Sequence, residues 1–314
     1  MKEENTVKHT NEFYDEIDFR ELFNVLFQGK WIIVSFTTFM STIAVIYSLL
    51  LPNIYESRAL LVPANSSSSI SGALQNYSSL AGLAGINLPS SDVDNSIKAL
   101  KKIGSLSFFE DNIMPNIYLP DLMAVKTWDY KTNTLVFNES IFKVNSNKWV
   151  RAYSYPQKQI PSAQESFDIF KSEHLILNED KKSGFITLLI KHQSPYVAKQ
   201  WVELIVNEVN NYFRQKDKSE SEKAVIYLNQ QISMTGLSEI KEVLAQLLQE
   251  ETKKLMLIEA NQFYVFDYID PPATMEKKSG PQRALICILG ALLGVMLSVL
   301  LVLVRHYAFN EKNS

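Results

Sequence analysis

Two apolar runs free of Asp, Glu, Lys and Arg stand near opposite ends of the chain, Trp31 to Leu51 and Ala284 to Val304. Each is about 21 residues long, and a helix rising roughly 1.5 Å per residue carries that length across about 30 Å, the thickness of a bilayer's hydrocarbon core. A helix of a soluble domain keeps a polar face, whereas these runs carry no charge on any face. They read as two transmembrane helices. Everything from Pro52 to Arg283 is then one large excursion between two anchors, with both termini on the same side.

The rest of the composition removes several function classes. Net charge is −3 over 314 residues, with Lys and Arg scattered through the middle segment. A nucleic-acid face needs a basic stripe to neutralise phosphates, so no nucleic-acid partner is expected. The only cysteine, Cys287, sits inside the second run, which excludes an intrachain disulfide and a thiolate metal cluster. The fold must hold by packing and by oligomerisation. The first run follows an acidic leader (Glu3, Glu4, Glu12, Asp15, Glu16, Asp18, Glu21) and ends in LLPNIYESRALLVPA without a small-x-small cleavage site, so it reads as an uncleaved signal anchor. Lys30 flanks the first span on the leader side and Arg305 with His306 flanks the second on the tail side, against Lys277, Lys278 and Arg283. Because a large loop is translocated largely regardless of its charge, both short termini are assigned to the cytoplasm and the middle domain to the far side.

Along the chain, Ile17, Phe19, Leu22, Phe23, Leu26 and Phe27 follow helical spacing, either as an amphipathic helix on the membrane surface or as the first turns of the span. Tyr55 to Val62 has strand character. The Ser, Gly and Ala-rich stretch from Ala64 to Ser91 reads as a mobile loop. Helices are expected over 92–103 and 105–113, and short strands and loops over the aromatic segment from Pro115 to Gln159. Ser162 to Glu173 is expected to be helical, with Ser162 and Glu165 forming a capping box. His174 to Asn178 and Phe185 to His192 read as two strands joined by a charged turn at Gly184, and Tyr264 to Ile269 as a late strand.

Ser194-Pro195 opens a long helix whose stripe is Val197, Trp201, Leu204, Ile205, Val209 and Tyr212, continued by Val225, Leu228 and Ile232. Lys199/Glu203, Lys216/Glu220 and Lys218/Glu222 stand four apart on the solvated face. Gly236 breaks the run, and a second helix, capped by Ser238, follows with Leu237, Ile240, Leu244, Leu247, Leu248, Leu255 and Ile258 on its apolar side. Arms of roughly 60 Å and 35 Å cannot bury themselves in a compact globule, so they predict a projecting hairpin that packs against copies of itself.

Catalytic, cofactor and metal sites are all expected to be absent. His9, His174, His192 and His306 fall in different regions, and no HExxH, GxSxG or GxxxxGK[ST] motif occurs. KKSGPQR around Lys278 and Gly280 lacks the leading glycine of a phosphate loop. Glu250 and Glu251 read as solvated helix residues. With ten residues after the second span, no cytoplasmic kinase or signalling module is expected there.

Before the second span comes FDYIDPPATMEKKSGPQRALICILGALLG. Asp270-Pro271-Pro272 after a strand, Pro281 and Arg283 at the bilayer edge, and Gly290 with Gly294 inside the span resemble the C-terminal signature of the Wzz-type polysaccharide co-polymerases. The leader and first span (EIDFRELFNVLFQGKWIIV), the LAGLAGINLP loop and the TGLSEIKEVLAQLLQEETKKLMLIEANQFYVF stretch resemble the same family. Proline stops a β-ladder and holds an extended stalk, and glycines one turn apart let another helix approach closely. Thr274-Met275-Glu276 stands where many relatives carry a further proline.

The resemblance implies an α+β membrane protein: leader 1–30, span 31–51, extracytoplasmic domain 52–283, span 284–304 and tail 305–314. The domain would comprise an α/β base (about 52–194 and 261–270), a helical hairpin (about 195–260) and a proline-containing stalk (271–283). It further implies a non-catalytic, ring-forming homo-oligomer of the bacterial inner membrane, with its main domain in the periplasm. That oligomer would set the length of O-antigen-type lipopolysaccharide beside a partner polymerase, with the growing glycan and membrane lipid as further partners. The alternative is an adaptor of a capsule or exopolysaccharide export system paired with a separate tyrosine kinase.

Overall fold

The structure is a computed structural model describing residues 19–64, 91–261 and 263–310. The acidic start of the leader, nearly all of the stretch from Ala64 to Ser91 and the last four residues of the tail lie outside the described residues. The chain divides into two compact units, one formed by its two ends up to Leu51 and from Pro281, the other by Pro52–Gly280. The division falls between Gly280 and Pro281, within the segment 271–283 read from sequence as a stalk.

The unit made from the chain ends holds three helices, Phe19–Gln28, Lys30–Leu50 and Arg283–Asn310. Two of them are long and apolar enough to cross a membrane, Lys30–Leu50 and the Arg283–His306 part of the last. The amide of Gly29 donates to the Val25 carbonyl at 3.0 Å and the amide of Ile33 to the Gly29 carbonyl at 3.0 Å. Helical hydrogen bonding therefore runs through Gly29, and the leader helix enters the span without an intervening loop. Beyond Val304, where the apolar run ends, the last helix continues to Asn310 through segment 305–310, read from sequence as a tail.

The second unit is built on a four-stranded antiparallel sheet. In chain order its strands and two small ribbons are β1 (Tyr55–Pro63), β2 (Val125–Asp129), β3 (Thr134–Phe137), β4 (Phe142–Lys143), β5 (Lys148–Trp149), β6 (Leu175–Glu179), β7 (Ile186–His192) and β8 (Phe266–Asp270). The sheet order is β6-β7-β1-β8, with β2-β3 and β4-β5 as separate ribbons. Along β7, Ile186, Leu188, Ile190 and His192 are buried while the residues between them are half-buried, the period-2 pattern of a strand covered on one face. The covering element is the helix Pro195–Met234, whose Trp201, Val202, Ile205, Val206 and Val209 join Phe109 and Phe170 in the core.

Several local expectations are corrected. The segment 105–113 starts as α-helix at Leu106, with Ser105 Oγ accepting from the Phe108 amide at 3.3 Å, then widens into a π-turn at Phe109–Ile113. Ser162 to Glu173 likewise becomes α-helix at Ala163–Ile169 and π-helix at Phe170–His174. Each widening carries one buried ring into the core, and the Phe109 and Phe170 rings meet at 5.1 Å. Ser162 Oγ accepts from the Glu165 amide at 3.3 Å, but the reciprocal half of the capping box is replaced: Glu165 binds the Arg151 guanidinium through both carboxylate oxygens. Arg151 also donates to the carbonyls of Lys158 (2.6 Å) and Gln159 (3.0 Å), which ties down the loop ahead of the helix.

The hairpin consists of Pro195–Met234 and Ser238–Ala260. Ser238 is not its cap: Leu237 occupies the cap position without a side-chain hydrogen bond, and Ser238 begins the helix. Lys199 pairs with Glu203 and Lys216 with Glu220, but Lys218 reaches across to Glu259 on the returning helix instead of pairing with Glu222. Leu228 and Ile258 are buried inside the hairpin, whereas Leu237, Ile240 and Leu247 from the expected apolar side are exposed together with Met234 and Val243.

Candidate functional site

Gly290 and Gly294 lie on the face of the second span that also carries the buried Ser298 and Val302, four residues apart in sequence. That face packs on the chain's own first span. A Cβ added at Gly290 would collide with Ala44 Cβ, and one at Gly294 would stand 3.0 Å from Met40 Cβ and 3.2 Å from Thr37 Cα. At the other end, a Cβ on Gly29 would come within 2.5 Å of Val302 Cγ1. Small residues let the two backbones approach along the whole contact, the device by which apolar helices associate where burial from water gives no drive. The "other helix" expected from the Gly290/Gly294 spacing is thus the first span of the same chain. Arg283 Nη2 lies 3.5 Å from the Leu51 carbonyl, just past the C-terminal end of the first span helix. Orphan carbonyls and the negative end of the helix dipole gather there, so a cation is well placed.

Pro271 and Pro272 directly follow β8, Pro272 buried and Pro271 exposed. The stalk beyond them does not depend on proline alone. Ser57 Oγ donates to the Ala273 carbonyl at 2.9 Å, the Ile54 amide to the Gly280 carbonyl at 2.9 Å, and the Ser279 amide to the Ile54 carbonyl at 2.9 Å. The descending segment is stitched to the ascending one, which no local sequence signal announces because the partners stand more than 200 residues apart.

Two buried polar clusters went unseen in the sequence. Asn210, 4% exposed in the long helix, accepts through Oδ1 from the amides of Tyr264 (3.1 Å), Val265 (2.7 Å) and Phe266 (3.0 Å). Its Nδ2 donates to the carbonyls of Val206 and Phe266, both at 3.0 Å. β8 is an end strand of the sheet, and Asn210 occupies the free N–H and C=O of Phe266 much as a neighbouring strand would. One and two turns further along, Arg214 donates to the Asn261 carbonyl (2.9 Å), Asp217 accepts from Tyr264 Oη (2.6 Å), and Lys218 pairs with Glu259. The return of the hairpin into the sheet is thereby fixed in register.

The second cluster joins His174 and His192, which the β6–β7 pairing brings together. Their rings lie 5.7 Å apart, with the Trp201 ring 5.5 Å from His174 and 5.1 Å from His192. His192 is fully buried; its Nε2 donates to the Asp121 carbonyl at 3.0 Å and its Nδ1 accepts from the Ser194 amide at 2.9 Å. Burial holds its pKa down at about 4, and burial also lowers that of His174. Burial raises the Asp121 carboxyl to about 6. Among the described residues no group of three or more His, Cys, Asp or Glu side chains is placed to hold a metal ion.

No curated protein matches the chain significantly. Among solved structures, the chain is similar to a full-length bacterial polysaccharide co-polymerase (14% identity, 93% of this chain and 99% of that one, TM-score 0.41). It is also similar to a fragment of WzzB, a polysaccharide co-polymerase from Salmonella Typhimurium (13% identity, 73% of this chain and 100% of that one, TM-score 0.29). The family model Wzz, chain length determinant protein, matches residues 15–103, covering the leader helix, the first span and β1. A second model, GNVR, described as "G-rich domain on putative tyrosine kinase", matches residues 237–307, the returning helix through the second span. With these two domains at its two ends, and with two helices long and apolar enough to cross a membrane, the chain belongs to the Wzz-type family of polysaccharide co-polymerases, the chain length determinants.

Proposed function

We propose that this protein is a non-catalytic regulator of surface polysaccharide length, standing in the inner membrane of a bacterium with residues 52–280 in the periplasm. It acts as a homo-oligomeric scaffold beside the polymerase that extends O-antigen-type lipopolysaccharide, and the growing glycan passes along it. The single observation that carries this reading is the match of the chain length determinant model to the leader, first span and β1. The exposed apolar residues of the hairpin, Met234, Leu237, Ile240, Val243 and Leu247, support the homo-oligomer, because such a stripe is unfavourable in water unless another surface covers it. Pro271, Pro272, Pro281, Arg283, Gly290 and Gly294 set the arrangement of spans and stalk and contact no reacting group. Deleting the gene and separating the cell's lipopolysaccharide on a gel tests this: a lost modal length with polymer still made is the expected result, and an unchanged ladder refutes it.

A second reading has its own support. The domain matched over residues 237–307 is described from tyrosine kinases, which favours an adaptor of capsule or exopolysaccharide export working with a kinase. Under that reading the deletion leaves lipopolysaccharide untouched and changes the size or amount of exported capsule.

A further inference from the structure

We propose that His192, packed against His174 and Trp201, forms an acid-sensitive latch that locks the first turn of the hairpin's long helix to the base of the domain only while its ring is neutral. The hydrogen bonds dictate the protonation. A carbonyl can only accept, so the Asp121 carbonyl requires a proton on His192 Nε2; an amide can only donate, so the Ser194 N–H requires a bare Nδ1. His192 is thereby held as the neutral Nε2–H tautomer between three elements: the end of β7, the helix cap at Ser194 and the turn at Leu119–Met123. A second proton would set N–H against N–H at Ser194, remove the bond that fixes the helix cap, and bury a cation in a fully enclosed position. His174 is held differently: its Nδ1 donates to the Lys191 carbonyl at 2.6 Å, a bond that the neutral and the charged ring make alike, and burial is what lowers its pKa. Two imidazolium rings at 5.7 Å would also repel.

The surrounding charges do not relieve this. Lys191 is paired with Glu56 of β1 at 3.4 Å, and Lys199 with Glu203 on the long helix at 3.5 Å. Trp201 is the uncharged face presented by that helix. Glu173 stands beside His174 and favours its charged form, yet burial outweighs it and the pKa stays low. Asp121 is the carboxyl nearest His192's acceptor, and it works against the latch's pH dependence because opening would let it ionise in its ordinary range.

The direction follows from linkage. When the latch opens, His192 returns to its ordinary pKa of 6.5 from about 4, so closure is complete above 6.5 and weakens as pH falls toward 4. Between pH 7.5 and 5.0 this favours opening about thirtyfold. Release of Asp121 from about 6 to 3.8 opposes it by about tenfold over the same interval, leaving a net change of about threefold in the native chain.

The test is hydrogen–deuterium exchange of the full chain in mild detergent at pH 7.5 and 5.0, corrected for the intrinsic pH dependence of amide exchange. Amides of Ser194 and Ala198 are compared with those of the distant hairpin segment 240–250. Native protein should lose protection about threefold at the first site only, and Asp121→Asn about thirtyfold. His192→Asn, which can still accept from Ser194 but cannot titrate, should show no acid-dependent loss. Unchanged protection in Asp121→Asn overturns the latch. Should the His192 variant not fold, the imidazole nitrogen resonances of native protein decide: an Nε2–H ring that titrates below pH 5 supports it, and one that titrates near 6.5 refutes it.

Discussion

Replacing Asn210 by Ala removes one side chain and strands four backbone groups. The amides of Tyr264, Val265 and Phe266 lose their shared acceptor, and the Phe266 carbonyl loses its donor. Tyr264 is half-buried and its amide can turn to water, whereas Val265 and Phe266 are buried. At about 1–3 kcal/mol for each stranded buried group, the expected loss is about 4 kcal/mol, a large share of a domain's usual stability. For a domain of this size that lowers the melting temperature by about 10 °C. Asn229 is the internal control: it lies on the same helix and its Nδ2 donates to the Val225 carbonyl at 3.0 Å, but it is exposed, so Asn229→Ala should cost less than about 0.5 kcal/mol. Asn210→Asp keeps the acceptor but turns an oxygen toward two carbonyls and buries a charge, so it should be less stable at pH 7 than at pH 5. Tryptophan fluorescence during thermal unfolding of the full chain in detergent reads all three, since Trp201 reports on the core. If Asn210→Ala and Asn229→Ala melt within 2 °C of each other, Asn210 is not what closes the edge of β8.

Gly290→Leu with Gly294→Leu must drive the second span off Ala44, Met40 and Thr37 while keeping it apolar, so membrane insertion should survive and the modal glycan length should shift; an unchanged ladder at normal expression separates span packing from length control. Pro271→Ala with Pro281→Ala should have a smaller effect than the glycine pair, because hydrogen bonds from Ile54 and Ser57 still hold the stalk, and an equal effect would show that proline stiffness dominates. A reporter inserted at Gly236, in the turn between the hairpin helices, should be active only outside the cytoplasm, and cytoplasmic activity there contradicts the two-pass topology. Light scattering in mild detergent, with detergent mass subtracted, should give a homo-oligomer, and Leu237→Glu with Val243→Glu should reduce its mass; a native monomer removes the role given to the exposed stripe.

What could be seen in the sequence was what repeats locally. The period-2 pattern of Ile186 to His192, the stripe of Trp201, Ile205 and Val209, and the punctuation at Pro195 and Gly236 each arise from neighbours within a few turns, and each element forms near its expected place. What escaped was set by partners distant along the chain. Lys218 had an acid four residues on at Glu222, the local rule, but the returning helix brings Glu259 closer. Glu165 sat at the right spacing for a capping box until Arg151, from an irregular segment, claimed its carboxylate. His174 and His192 looked unrelated because only strand pairing makes them neighbours, and Asn210 looked like a polar residue on a helix, with nothing in its surroundings to mark the edge strand it serves. The glycine pair was visible, but its partner was not, because close approach is a property of two helices and the spacing describes one.

The hydrogen bonds joining Ile54 to Ser279 and Gly280 make the large domain a closed loop whose two ends meet at one point. A chain that leaves and returns at the same place can be lengthened, shortened or exchanged inside the loop without moving its ends, and the entropic cost of closing it grows only with the logarithm of its length. The excursion therefore has the geometry of a cassette. A segment running from Ile54 to Gly280 carries its own closing bonds, so a longer or shorter excursion between those two residues leaves its ends meeting at the same point.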